Sequence, residues 1–208
     1  LVKNILYIAG SVIFFFAGMI SYGIILNIRE VTLEEAMVEK GITQILEPKL
    51  LVDRKNFRIE LYSNGMLVKT YKAVFGKNNS LVKTAKDDKV TPIGEYKICE
   101  IDSSAMYHKF LRLNYPNKND AAEGLTRGYL TKDEFDAIML THKLDECTPK
   151  ETHLGSEIGI HGIGTYDLIF RNLPFSFNWT NGSIAVSNQN IDELYKVLKV
   201  GTVVSITY

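Results

Sequence analysis

The stretch FRIELYSNGMLVKTYKAVF, residues 57–75, decides the fold class. Two alternating runs, Phe57 to Tyr62 and Leu67 to Phe75, flank Ser63-Asn64-Gly65. Alternation with period two buries one face of a strand, and Asn-Gly tolerates the positive φ that a two-residue hairpin loop requires. The stretch therefore reads as a β-hairpin. Upstream, Leu50 to Asp53 reads as a further strand. Downstream, a polar loop from Gly76 to Asp88 precedes Thr91-Pro92-Ile93-Gly94, a turn that leads into a strand through Ile98. Leu111 to Tyr115, Ile158 to His161, Ile184 to Ser187 and Thr202 to Tyr208 continue the strand pattern. Two segments break it. Thr131 to Leu144 has helical spacing, with Phe135, Ile138, Met139 and His142 on one side, and Ile191 to Leu198 turns helical behind the cap candidates Asn188 and Asn190. Residues 49–208 are thus expected to form one mainly β (α+β) domain with an inserted helix. The insertion, about 116–157, reads equally as a lid over a cleft or as core packing.

Toward the N-terminus the composition changes. No charge occurs from Ile5 to Ile28. Some ~22 apolar residues at ~1.5 Å rise reach ~33 Å, enough for a hydrocarbon core of ~30 Å. No A-x-A pattern precedes Arg29, so residues 1–30 are expected to be an uncleaved membrane anchor rather than a signal peptide. Lys3 on one side and Arg29 beside Glu30 on the other give a weak orientation signal, taken as N-terminus inside and domain outside. Residues 31–48 follow as a helical stalk or linker, opened by a capping box at Thr32 and Glu35, helical to about Leu46 and ended by Pro48. The alternative is a first helix packed on the domain.

Charge excludes one class of partner. Lys plus Arg and Asp plus Glu both number 24, so no net field draws the chain onto nucleic acid. Glu157, His153 and His161 lack H-E-x-x-H spacing, and no metal or cofactor is expected. Cys99 and Cys147 are not spaced as a metal or redox motif; they are either two idle thiols or a disulfide, which an exported location permits.

The chemistry is expected at Asn178-Trp179-Thr180-Asn181-Gly182-Ser183-Ile184-Ala185-Val186, some twenty residues after His161-Gly162. The small pair Gly182-Ser183 at the mouth of an apolar run presents a side-chain nucleophile beside backbone amides, with one histidine to serve it. Arg112 and Arg171 are candidates for a bidentate contact with a carboxylate. Tyr115-Pro116-Asn117, with Asp120, is a candidate for shaping a cleft, and Trp179 for contacting substrate.

Read together, Asn64-Gly65, Thr91-Pro92-Ile93-Gly94, Ile160-His161-Gly162 and Thr180 to Asn188 resemble the L,D-transpeptidase catalytic domain, the YkuD fold, in order and spacing over roughly Lys49 to Tyr208. That resemblance implies a sandwich-like β domain, peptidoglycan stem peptides as substrate, and a cell-wall-facing location at the bacterial cytoplasmic membrane. It assigns His161 as base, Ser183 to the nucleophile position, and Gly162, Thr180, Asn181 and Gly182 to the motif frame and oxyanion pocket. Three positions depart from the family pattern. Asn181 stands where a second histidine is usual, Ala185 where an arginine is usual, and Ser183 where the nucleophilic cysteine is usual; the first two resemble a branch with a W-T-x-G-C-I-A-V pattern. A cysteine beside a histidine holds a useful thiolate fraction near neutral pH. A serine hydroxyl must instead give up its proton during attack. The expectation is acyl transfer impaired by this change, with a non-catalytic peptidoglycan-binding scaffold or an L,D-carboxypeptidase-type hydrolase as alternatives.

Overall fold

The computed structural model describes residues 2–27, 30–103, 107–173 and 175–208. An apolar helix, α1 (Val2–Asn27), precedes a short α2 (Leu33–Glu39). Eight strands follow: β1 (Lys49–Asp53), β2 (Arg58–Ser63), β3 (Met66–Lys72), β4 (Gly94–Asp102), β5 (Phe110–Leu113), β6 (Gly159–Gly162), β7 (Ile184–Val186) and β8 (Val203–Thr207). Helices α3 (Lys118–Thr126) and α4 (Lys132–Lys143) lie between β5 and β6, α5 (Asp167–Phe170) between β6 and β7, and α6 (Asn188–Val197) between β7 and β8.

The hairpin forms where the alternation places it. Asn64 and Gly65 both take positive φ, 48° and 78°, and β2 pairs antiparallel with β3. Ile59 and Leu61 point into the core and are fully buried. The strand order is β3-β2-β1-β8-β4-β5-β6-β7. β1 with β8 and β6 with β7 are parallel; every other pair is antiparallel. Just past β3, Val74 exchanges two backbone hydrogen bonds with Ala185 of β7, each 2.9 Å. The outermost strands therefore meet, and the sheet is a nearly closed barrel. Its interior holds Leu50, Val52, Tyr71, Tyr96, Leu111, Ile160, Ile184 and Val204, and α6 covers it with Ile191 and Leu194.

Two segments differ in detail from the sequence reading. α2 keeps its Thr32–Glu35 capping box but ends at Glu39, and it rests on the domain through buried Leu33 and Ala36 instead of standing clear of it. The insertion contains two helices. α3 is capped by Asn117 and Asp120, and α4 by Thr131 and Glu134. Ala121 of α3 and Ile138 of α4 are fully buried in the core, so each helix of the insertion is anchored to the domain along one face. Cys99, at a register shift in β4, is bonded to Cys147 just after α4, which ties the insertion to the sheet.

Candidate active site

β6 and β7 run parallel with His161 opposite Ala185 and Ile160 opposite Ile184. This register brings the residue after Ile160 and the residue before Ile184 to one wall of a cavity of about 660 Å³. His161, Trp179, Thr180, Asn181, Ser183 and Arg112 all line it. The expected site residues thus converge from three separate parts of the chain.

Backbone contacts set the Ser183 corner. Gly182 has φ +122°, and a Cβ there would stand 2.9 Å from Val90 O. Thr180 Oγ1 donates to Ser183 O at 2.5 Å and accepts from Gly182 N–H at 3.2 Å, which closes a tight polar loop. The Ser183 hydroxyl donates to Glu157 O at 3.1 Å and accepts from Gly159 N–H at 3.3 Å. The Gly182 amide, expected as an oxyanion donor, is engaged by Thr180. The Gly159 N–H, at the start of β6, donates to the nucleophile position itself.

His161 is 3% exposed and enclosed by rings. Tyr107 lies 4.6 Å away between centroids, Phe110 6.0 Å and Trp179 6.5 Å. Its Nδ1 is 2.7 Å from Gly162 O, an acceptor, which makes Nδ1 the protonated nitrogen and leaves Nε2 with a lone pair. Burial lowers the imidazole's pKa, against a smaller upward pull from the Gly162 carbonyl. The neutral, proton-accepting form is favoured near neutral pH. Among the described residues no hydrogen bond joins His161 to Ser183.

Other expected residues have different places. Arg112 lines the cavity, but its guanidinium is committed to Thr148 O at 2.7 Å, Ser156 Oγ at 3.0 Å, and Ser156 O and Glu100 at 3.3 Å each. It tethers the 148–156 segment instead of standing open to a ligand. Tyr115 is 1% exposed, packs edge-on against Tyr96 at 5.9 Å, and does not line the cavity. Arg171 lies outside it too, 3.6 Å from Asp167. Among the described residues no cluster of three or more metal-ligating side chains occurs.

The loop after β3 supplies what the sequence reading missed. Lys77, Lys86 and Lys89, with Lys150 from the neighbouring 148–158 segment, rim the cavity. Lys83 is buried and paired with Asp88 at 2.6 Å, so it braces the loop. At Gly76 a Cβ would meet Lys89 O at 2.0 Å and Gly182 Cα at 3.1 Å, so only glycine lets this loop close on the Ser183 corner. Four lysines between 77 and 89 were the available signal. Opposite, Phe110 pairs with His161 in register, which its place in β5 foreshadows.

His161 on β6 and Ser183, just before the neighbouring β7, share one cavity wall, and comparison with known proteins gives the family. The L,D-transpeptidase catalytic domain (YkuD) family matches residues 47–206, and the chain belongs to that family. No curated protein sequence matches the chain. Among solved structures it is similar to a variant of the helical cell shape determining protein Pgp2 from Campylobacter jejuni, with TM-score 0.50, 17% identity and coverage of 85% of this chain and 54% of that one. It is also similar to Bd1075 from Bdellovibrio bacteriovorus, with TM-score 0.49, 22% identity and coverage of 78% and 48%. An L,D-transpeptidase from Xylanimonas cellulosilytica gives TM-score 0.47, 13% identity and coverage of 83% and 68%. The chain spans about half the length of Pgp2 and Bd1075.

Proposed function

We propose that the chain is a cell-wall protein that binds peptidoglycan stem peptides in the His161–Ser183 cavity, and that its acyl transfer through position 183 is strongly reduced. One observation carries this reading. The Ser183 hydroxyl is held by Glu157 O and Gly159 N–H and makes no hydrogen bond to His161, so the free Nε2 lone pair is not engaged on the weak nucleophile. The walls that would hold a substrate remain. Rings surround His161, and a rim of mixed charge, Lys77, Lys89 and Lys150 beside Asp87, Asp102 and Glu157, offers partners to both the carboxylates and the ammonium groups of a peptide.

α1 would hold the domain at the bacterial cytoplasmic membrane. Val2–Ile25 is long and apolar enough to span, and almost none of it is buried against the domain. The oxidised Cys99–Cys147 pair favours the exported side. Calorimetric titration of the full chain in detergent with a tetrapeptide stem, alongside chromatographic detection of D-Ala, tests the reading. Binding with little or no D-Ala release is expected. Absence of binding at millimolar peptide would sink it, and rapid release would show that Ser183 is a competent nucleophile.

A further inference from the structure

The apolar side chains that the domain exposes are unevenly spread. Tyr166, Leu168, Ile169, Phe175 and Phe177 are between 40% and 64% exposed and crowd into the stretch 166–177 around α5. Elsewhere in the described domain, large exposed apolar residues come singly or in pairs. A patch of this density on a protein otherwise well covered marks an interaction surface.

The position of α1 identifies what covers the patch. Gly23, near the C-terminal end of α1, is buried, and a Cβ there would stand 1.8 Å from the carbonyl oxygen of Asn172. Helix and segment therefore touch backbone to backbone. Asn172 in turn donates its side-chain amide to Leu168 O at 2.6 Å, which holds the turn that presents the patch. The candidate span runs to Ile25 and the charge-free stretch to Ile28. At ~1.5 Å per residue, Gly23 lies ~3–8 Å short of that end, near the depth where hydrocarbon gives way to headgroups. Aromatic side chains with one wet edge favour that depth. Lys72, Arg171 and Glu30 border the same surface, with Arg171 3.6 Å from Asp167, a mixed polar edge of the kind that sits among headgroups.

We infer that residues 166–173, with Phe175 and Phe177, form a second membrane contact, seated in the headgroup and upper acyl region of the leaflet on the domain side of α1. The inference rests on the reading of α1 as a membrane anchor. It also sets the height of the cavity. Phe170 lies 5.3 Å from Trp179, and Trp179 lines the cavity beside His161, so one aromatic layer separates the site from the bilayer.

The full chain, reconstituted in phosphatidylcholine vesicles containing phosphatidylglycerol, tests this with single environment-sensitive labels at Phe14→Cys, Leu168→Cys, Tyr166→Cys and Leu140→Cys. Acyl chains brominated close to the headgroup serve as the quencher. All four positions are exposed, so the substitutions leave the fold intact. The labels at Leu168→Cys and Tyr166→Cys are expected to shift to the blue and lose most of their emission. The label at Leu140→Cys, on α4, keeps its emission. If Phe14→Cys is blue-shifted and shielded from water while Leu168→Cys and Tyr166→Cys stay as bright as Leu140→Cys, the second contact is wrong and the anchor stands. If Phe14→Cys also reports water, both are wrong.

Discussion

The two flanks of the cavity are built differently. The β6–β7 flank, carrying His161 and Ser183, is set by backbone register, by Gly182 and by the short Thr180 loop. The adjoining flank, made of the lysine loop and the 148–158 segment, meets the first at Lys77 N–H to Thr180 O and at Ser183 to Glu157 O, and is held mainly by side chains: Arg112 on Thr148 and Ser156, Lys83 on Asp88, and the Cys99–Cys147 bond behind them. Backbone-built geometry persists through most substitutions, whereas side-chain tethers are lost one residue at a time. In the proposed reading, reaction geometry belongs to the first flank and substrate grip to the second.

The sharpest break of the comparison is on the backbone-built flank. In a Ser183→Cys background, His161→Ala should cut D-Ala release by about 10²–10⁴-fold, the usual worth of a positioned base. Stem-peptide affinity should stay within a few-fold, because pocket walls rather than the base carry binding. An equal loss of affinity and turnover would mean that His161 is a packing residue.

On the tethered flank the largest effect should come from Cys99→Ala with Cys147→Ala. Opening a cross-link between residues 48 apart is expected to cost about 4 kcal/mol in chemical denaturation. A loss under about 1 kcal/mol would show that the insertion docks without it.

Asp120 gives a pH test of the same flank. Burial raises its carboxyl to about 6, even though Asn117 N–H and the Tyr96 hydroxyl bond to it. A folded pKa above the unfolded value means that the folded chain binds the proton more tightly. Its contribution is full below about pH 4 and is lost as pH rises through about 6. Asp120→Asn should flatten that fall, which is of order 2 kcal/mol between those limits; parallel profiles for parent and variant would remove Asp120 as its source.

The smallest effects belong to the rim. Lys77→Gln and Lys89→Gln should each weaken stem-peptide binding by about 0.2–1 kcal/mol, an effect that fades as salt is raised. A salt-independent change would point to altered loop structure instead.

Much of this was legible in the chain. The hairpin announced itself through Asn64-Gly65 between alternating runs, α4 through the spacing of Phe135, Ile138, Met139 and His142, and the first flank through His161-Gly162 and Thr180 to Val186. Local chemistry specified each of these. The rest depends on contacts distant in sequence. The Val74–Ala185 closure, the parallel pairing of β1 with β8, and the Arg112 tethers join parts of the chain that no periodicity connects. α3 was missed because Gly124 and its polar residues blur the helical stripe, although Asn117 and Asp120 carry a capping box. Tyr115 was misplaced for a related reason. Its position before Pro116 reads as a loop, yet the ring is drawn into the core against Tyr96.

The central claim is that position 183 occupies the nucleophile's place in a cavity otherwise fit for stem-peptide acyl transfer. The most direct measurement is D-Ala release from tetrapeptide muropeptides by the parent and by Ser183→Cys, each with and without a thiol alkylating agent. The account predicts that the parent releases little or none, and that the Ser183→Cys protein releases D-Ala in a reaction abolished by alkylation. A folded Ser183→Cys protein that binds the peptide yet is as inert as the parent would contradict it.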